Sequence, residues 1–160
     1  DKRKRNLLIT TIVFLSIALD QISKIWVRNN FESYIENSIV GDVFTLIKVE
    51  NTGAFLGMGS ELSETLRILL LIVLPIIVLI SITIYTYIDK TLDKISIIGF
   101  SLIIGGGIGN IFDRISYSAV PDFIDFHINN FHWFIFNVAD IFITIGIIFL
   151  ISFEIFGKKK

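Results

Sequence analysis

The stretch that decides the fold is a long apolar segment in the second half of the chain. Residues 95–115 read ISIIGFSLIIGGGIGNIFDRI, with charges only at Asp113 and Arg114. About 20 such residues are needed for a helix to cross the hydrocarbon core of a bilayer. Three further segments approach this requirement, at residues 7–27, 68–88 and 134–156. We therefore predict an all-α membrane protein in which four transmembrane helices form a single membrane-embedded domain over residues 1–160.

The composition supports this fold class and excludes others. Of the 160 residues, 53% are hydrophobic and 18% are charged, which is more apolar than a soluble domain of this size can bury. The 14 Lys and Arg residues against 15 Asp and Glu give a net charge of −1, so we expect no nucleic acid partner. Cysteine is absent, which excludes disulfides, thiolate nucleophiles and cysteine metal sites. No cofactor is predicted.

The distribution of charge predicts the orientation of the helices. Positive residues occur at positions 2–5, at Lys90 and Lys94, and at positions 158–160, whereas residues 29–66 hold one positive charge against six negative ones. Positive segments stay in the cytoplasm, so we expect both termini inside and residues 29–66 outside. The first apolar segment could instead be a cleaved secretory signal, because basic residues precede it. Asp20 and Lys24, four apart on one helical face, favour a retained helix.

The outer segment contains a short β-prone stretch. Residues 43–50 favour a strand and lead into Asn51, Thr52 and Gly53, which favour a turn. We expect a small extracytoplasmic β-sheet here. The apolar residues that follow, among them Phe55 and Met58, indicate either a lid or interfacial helix, or an ordinary loop that packs on the helices.

Polar residues in the spans are the most informative feature, because they are costly in lipid. They cluster near the expected outer ends of helices 1, 3 and 4, and helix 2 has none. With a fourth helix that starts at residue 134, Asp140 should lie six residues inside it. The residues concerned are Asp20, Lys24, Asn110, Asp113, Arg114, Asn137 and Asp140, with Asp122 and Asp125 in the connection before the fourth helix. This pattern predicts a site on one side of the membrane.

Each of these residues also has a purely structural interpretation. Asp20 and Lys24 could form an ion pair that only satisfies itself, and Asp113 could pair with Arg114 at the helix end. Asp140 has no cation within one turn of its own helix, so its partner must come from elsewhere in the fold. Small residues at Ser101, Gly105 and Gly109 recur every four positions, a pattern that allows close helix contact in lipid.

Two carboxylates in an apolar site can share one proton and supply an acid and a base together. Asp122 and Asp140 are the available pair, with Asn110, Asn137 and Arg114 as orienting donors, and the reaction would be peptide hydrolysis at the membrane surface. A metal site at His127 and His132 is the rival chemistry, although their spacing matches no established ligand motif. A membrane module that binds a lipid or small ligand without catalysis is the rival function, and a carrier is a weaker one.

Five motifs in order resemble those of the bacterial lipoprotein signal peptidases, the type II signal peptidases. They are Asp20-Gln21-x-x-Lys24, Asn51-Thr52-Gly53-Ala54-Phe55, Gly109-Asn110-x-x-Asp113-Arg114, Val120-x-Asp122-Phe123 and Phe136-Asn137-x-Ala139-Asp140. The resemblance covers essentially the whole chain. It implies an aspartic intramembrane endopeptidase of the bacterial cytoplasmic (inner) membrane. Such an enzyme cuts diacylglyceryl-modified prolipoproteins on the N-terminal side of the lipidated cysteine, next to membrane lipids. We expect a monomer.

The resemblance also implies roles for individual residues. Asp122 and Asp140 would form the catalytic dyad, and Asn51, Asn110, Arg114 and Asn137 would bind the substrate backbone. Asp20, Lys24 and Asp113 would support the site, and Phe55 and Met58 would belong to a mobile lid. Two positions depart from the family pattern: Pro121 stands before the dyad aspartate, and Phe134 replaces a common proline. Proline fixes φ and removes a donor, so Pro121 would stiffen the backbone at Asp122.

Overall fold

Four long helices form the body of the molecule. The computed structural model describes residues 1–40, 43–54, 57–128, 131–132 and 134–157. The helices are α1 (Lys2–Asn30), α2 (Glu64–Ile88), α3 (Lys94–Tyr117) and α4 (Val138–Gly157), and each is long and apolar enough to cross a membrane. The prediction of an all-α membrane protein with four spans is confirmed. The chain is a multi-pass membrane protein.

Helix α3 lies at the centre because its small residues let two neighbours approach closely. Gly105 packs against Ser16 of α1, and a Cβ at Gly105 would lie 2.5 Å from the Ser16 Cβ. On another face, a Cβ at Gly106 would lie 2.5 Å from the carbonyl oxygen of Ala139 in α4. The predicted stripe of small residues therefore does bring α3 into close contact with α1. A second set of small residues, which includes Gly99 and Gly106 and was not foreseen, contacts α4.

Helix α2 is attached more loosely than the others. Thr86 is its one buried residue among those described, and the helix packs mainly against α3. Its end is fixed by Arg5 of α1, which donates to the carbonyl oxygens of Thr86 at 2.6 Å and Asp89 at 2.5 Å. Near its other end, Leu69–Val73 form a π-helical turn.

Four antiparallel strands form a sheet in the order β1-β2-β3-β4. They are β1 (Asn37–Val40), β2 (Phe44–Asn51), β3 (Val120–Ile128) and β4 (Phe131–His132). Strand β2 confirms the predicted sheet. Strand β3 adds to the sequence analysis, which placed Asp122 and Asp125 in the connection before the fourth helix without predicting a strand there. It pairs with β2 so that Val49 faces Asp122 and Asn51 faces Val120.

Helix α4 begins at Val138, so the expected start at residue 134 was wrong. Phe136 is instead tied to Ile124 of β3 by backbone hydrogen bonds of 2.8 and 3.0 Å. Asn137 then caps the helix, since its side chain accepts from the backbone N–H of Asp140 at 3.1 Å. Asp140 therefore lies in the first turn of α4 and not six residues inside it.

Candidate active site

Asn137 joins the two aspartates that the sequence analysis paired. Its side-chain Nδ2 donates to Asp122 Oδ1 at 2.6 Å, and its backbone N–H donates to Asp140 Oδ2 at 3.1 Å. Asn137 is buried at the junction between the extended segment after the sheet and the first turn of α4. One residue therefore holds a carboxylate from β3 and a carboxylate from α4 on the same side of the molecule.

Asp122 is a buried carboxyl group with two amide donors. Besides Asn137, Asn51 donates from Nδ2 to Asp122 Oδ2 at 2.7 Å, because the pairing of β2 with β3 brings the end of β2 alongside it. Burial raises the pKa of Asp122 to about 6, the Asn51 donor opposes this, and the nearby Asp140 charge adds to it. A carboxyl group with this pKa can hold a proton close to neutral pH.

Asp140 lies at the third position of α4, where its carboxylate completes the cap. Asn110 of α3 donates from Nδ2 to Asp140 Oδ1 at 3.0 Å, and Asn137 supplies the backbone N–H at Oδ2. A carboxylate in the first turn also lies at the positive end of the helix dipole. The expectation that its partner comes from elsewhere in the fold is confirmed, although the partner is a neutral amide and not a cation.

A buried ion cluster lies next to Asp140, between α1 and α3. Lys24 Nζ is 2.8 Å from Asp20 Oδ2 and 2.7 Å from Asp113 Oδ2, and all three side chains are fully buried. Arg28 contacts the other oxygen of Asp113 at 2.8 Å. The cluster also reaches α4, since Asp20 Oδ1 accepts from the backbone N–H of Ala139 at 3.0 Å.

Two features of this cluster differ from the sequence analysis. Asp113 does not pair with Arg114 at the helix end but with Lys24 and Arg28 of α1. Arg28 was not foreseen, and neither was Gln21, which donates to both Asp20 and Asp113. The signal for Arg28 was its position four residues after Lys24, on the helical face that already carried charge.

Arg114 connects α3 to the segment that follows β2. Its Nη2 donates to the carbonyl oxygen of Gly53 at 2.9 Å, and its Nη1 donates to that of Asn110 at 3.4 Å. Asn51 Oδ1 in turn accepts from the backbone N–H of Gly53 at 2.9 Å. These contacts hold the turn after β2 beside the two aspartates.

The turn after β2 is the segment interpreted as a lid. Its ends meet where the backbone N–H of Ala54 donates to the carbonyl oxygen of Met58 at 2.7 Å, and Met58 is 60% exposed. Gly57 and Gly59 have φ values of 71° and 83°, which side-chain-bearing residues rarely adopt. Phe55, the other residue assigned to the lid, lies outside the described residues.

A small cavity separates the two carboxyl groups. About 20 Å³ of it is open to a water-sized sphere, which is enough for one water molecule. Wider openings adjoin it: one of ≈ 330 Å³ includes Asp122, and an apolar one of ≈ 430 Å³ includes Asp140. The cavity is lined by Asn51, Ala54, Asn110, Arg114, Val120, Asp122, Ile135, Asn137 and Asp140.

Of the two histidines in the alternative metal site, His127 contacts a carboxylate of its own strand. His127 Nδ1 lies 3.1 Å from Asp125 Oδ2, and Thr45 donates to the same oxygen at 3.2 Å. Among the described side chains, no group of three or more His, Cys, Asp or Glu residues could hold a metal ion. The side chain of His132 is outside that set.

The two positions that depart from the family pattern both lie near the dyad. Pro121 is buried at the start of β3 and faces Glu50 of β2 across the sheet, so it fixes the strand directly before Asp122. Phe134 packs edge to face on Phe136, with ring centroids 5.7 Å apart. It lines both openings beside the cavity.

Known proteins are similar to this chain over most of its length. The sequence model of the family described as Signal peptidase (SPase) II matches residues 12–156. The lipoprotein signal peptidase of Sulfurihydrogenibium sp. (strain YO3AOP1) is 38% identical, over 98% of this chain and 96% of that protein. That of Wigglesworthia glossinidia brevipalpis is 42% identical, over 94% and 93%.

A solved structure is similar to this chain as well. It is described as "Bacterial membrane enzyme structure by the in meso method at 2.3 A resolution" and superposes with a TM-score of 0.83 and 26% identity. The alignment covers 96% of this chain and 92% of that one. With a family match over most of its length and relatives this similar, the chain belongs to the signal peptidase II family.

Proposed function

We propose that this protein is an aspartic endopeptidase that works within the membrane, with Asp122 and Asp140 as its catalytic residues. The observation that carries the proposal is the bridge formed by Asn137, which binds both carboxyl groups at the edge of a water-sized cavity. The substrate would be a diacylglyceryl-modified prolipoprotein, cut on the N-terminal side of its lipidated cysteine. The names of its relatives support this substrate class.

In the proposed reaction, Asp122 starts protonated and Asp140 starts as the carboxylate. Asp140 takes a proton from water held in the cavity, and the water oxygen attacks the scissile carbonyl carbon. Asp122 gives its proton to the carbonyl oxygen, which yields a tetrahedral diol. Asp140 then passes its proton to the leaving nitrogen, the C–N bond breaks, and Asp122 recovers a proton from a diol hydroxyl. The pKa of Asp122, about 6, supports its role as the first acid.

The neighbouring donors suit this sequence of proton transfers. Asn51 and Asn137 donate to Asp122, and these bonds strengthen as Asp122 loses its proton. The amides of Asn51, Asn110 and Asn137, together with Arg114, would also hold the substrate backbone. The buried ion cluster would help to hold Asp140 in place through its neighbours. Its members are Asp20, Lys24 and Asp113.

The openings on either side of the cavity suit a lipidated peptide. The apolar opening beside Asp140 could take an apolar part of the substrate, and the opening beside Asp122 could take the extended chain. We propose that the segment after β2, to which Phe55 and Met58 belong in the sequence, closes over the bound substrate as a lid. The site would face the outer side of the bacterial inner membrane with both termini cytoplasmic, and the enzyme would act as a monomer among membrane lipids.

A purified preparation tests the proposal directly. Cleavage of a diacylglyceryl-modified prolipoprotein is expected from the unchanged chain, and Asp122→Asn and Asp140→Asn should each abolish it. Both changes keep side-chain volume and remove proton transfer, so the thermal unfolding temperature should stay close to that of the unchanged chain. The rival function, ligand binding without catalysis, predicts no cleavage by any of the three proteins. No comparison favours that rival.

A further inference from the structure

We propose that Lys24 is a positioning residue that fixes which end of the Asn110 amide faces Asp140. This inference rests on the proposed function and adds a task to the buried ion cluster. Lys24 touches neither Asp140 nor the cavity in the contacts described. It acts through Asn110, whose Oδ1 it holds at 2.8 Å while Asn110 Nδ2 donates to Asp140 at 3.0 Å.

The orientation of an asparagine amide is set by its hydrogen-bond partners. Among the described residues, three asparagines donate to Asp122 or Asp140. The side-chain oxygen of each one accepts from a partner that can only donate. Asn51 Oδ1 accepts from the backbone N–H of Gly53, and Asn137 Oδ1 accepts from the backbone N–H of Asp140. For Asn110 the corresponding donor is Lys24, which makes it the one case of the three that depends on a side chain.

The surroundings of Lys24 leave it no other arrangement. Its ammonium group has three N–H donors and three acceptors, which are Asp20, Asp113 and Asn110. Lys24 and Asp20 are 0% exposed, and the missing Cβ of Gly109 makes room for the Asp20 carboxylate. Since an ammonium group has no lone pair, Asn110 can meet it only with Oδ1, and Nδ2 must then face Asp140.

A reversed Asn110 would remove the base from the proposed reaction. Its carbonyl oxygen would face Asp140 Oδ1, and two acceptors repel each other unless one carries a proton. Asp140 would then either turn away or hold a proton in a bond to Asn110. In both cases the carboxylate that takes the proton from water is lost, so kcat falls.

The test variant must remove the ammonium without leaving a buried charge. Lys24→Met alone would leave the buried Asp20 carboxylate without a cation in the described ion pairs, because Arg28 contacts Asp113 instead, and the variant could fail to fold. The double change Lys24→Met with Asp20→Asn removes one charge of each sign and keeps the Arg28–Asp113 pair. Asparagine at position 20 also keeps an oxygen that can accept from Ala139 N–H, so the contact between α1 and α4 is retained.

Arg28→Gln is the matched control. It removes one positive charge from the same cluster, but Arg28 contacts Asp113 and not Asn110 in the hydrogen bonds described. If the cluster only stabilises the fold, Arg28→Gln should impair cleavage about as much as loss of Lys24 does. If Lys24 orients Asn110, Arg28→Gln should keep kcat within about threefold of the unchanged chain, because Lys24 keeps its contacts with both carboxylates and with Asn110.

The experiment measures kcat and KM with a diacylglyceryl-modified prolipoprotein, together with the infrared band of a protonated carboxyl group. We expect the double variant to lose about 10- to 150-fold in kcat, the range for a hydrogen bond to a charged group. A protonated carboxyl band should grow near neutral pH and disappear when Asp140→Asn is added.

Three results would overturn the inference. The first is an unchanged kcat in the double variant. The second is a kcat for Arg28→Gln that is as low as that of the double variant. In both cases cleavage by the unchanged chain would leave the proposed function standing. Absence of cleavage by the unchanged chain would overturn the proposed function, and this inference with it.

Discussion

Asn137 has two tasks that a single substitution can separate. It caps α4 through Oδ1, and it donates from Nδ2 to Asp122 at 2.6 Å. Serine is as good a helix cap as asparagine, but its hydroxyl is too short to replace the donor to Asp122. Asn137→Ser should therefore leave α4 intact and remove one of the two amide donors that stabilise Asp122 as it loses its proton.

The expected changes in kcat and in the free energy of unfolding follow from those two contacts. A hydrogen bond to a charged group contributes about 1.5–3 kcal/mol, which corresponds to roughly a 10- to 150-fold lower kcat for Asn137→Ser. Both Asn137→Ser and Asn137→Ala lose the buried donor to Asp122 and are destabilised by that loss, but Asn137→Ala should lose about 1 kcal/mol more because the cap is gone as well. Cleavage of a lipidated peptide and unfolding in detergent measure the two effects. If Asn137→Ser kept full kcat, or lost as much stability as Asn137→Ala, the assignment of separate tasks would be refuted.

Further predictions concern pH, helix packing and the lid. Because the pKa of Asp122 is raised to about 6, its proton is bound below that pH and lost above it, so kcat/KM should decline as pH rises through about 6. Asn51→Ala removes a donor that lowers this pKa and should move the decline to higher pH, as a pH–rate profile would record. Gly106→Val should destabilise the protein by more than about 2 kcal/mol, since its Cβ would meet the Ala139 carbonyl oxygen at 2.5 Å, and a normal unfolding temperature would contradict this packing. Met58→Ala should slow cleavage of a lipidated substrate more than that of an unlipidated peptide, while its unfolding temperature stays unchanged; equal slowing of both would argue against a lid.

The sequence predicts the helices and the shared location of the site well, because lipid penalises polar groups strongly. Only residues with a function or a partner are tolerated in an apolar span, so Asp20, Lys24, Asn110 and Asp140 stand out without any structure. The contact of Lys24 with Asp20 also follows from a spacing of four residues on one helix. These inferences need only local spacing and the thickness of the bilayer.

Features that depend on contacts between distant residues were harder to predict. Strand β3 contains Pro121 and polar residues, so its sequence resembles a loop until its pairing with β2 is known. The run Phe134–Phe136 is as apolar as the helix after it, and the boundary is set by the cap at Asn137. A polar residue three positions before Asp140 was a signal for that cap, but the apolar run outweighed it.

The pairing of β2 with β3 has a consequence for how the enzyme is made. The chain between these strands contains α2 and α3, so Asn51 can reach Asp122 only after both helices are in the membrane. Asp140 comes later still, on the last of the four helices, and its orientation depends on α1 and α3. Synthesis proceeds from the N-terminus, and contacts between distant residues form late. A partly inserted chain therefore has no assembled pair of aspartates, so the proposed dyad forms only when the fourth helix is in place.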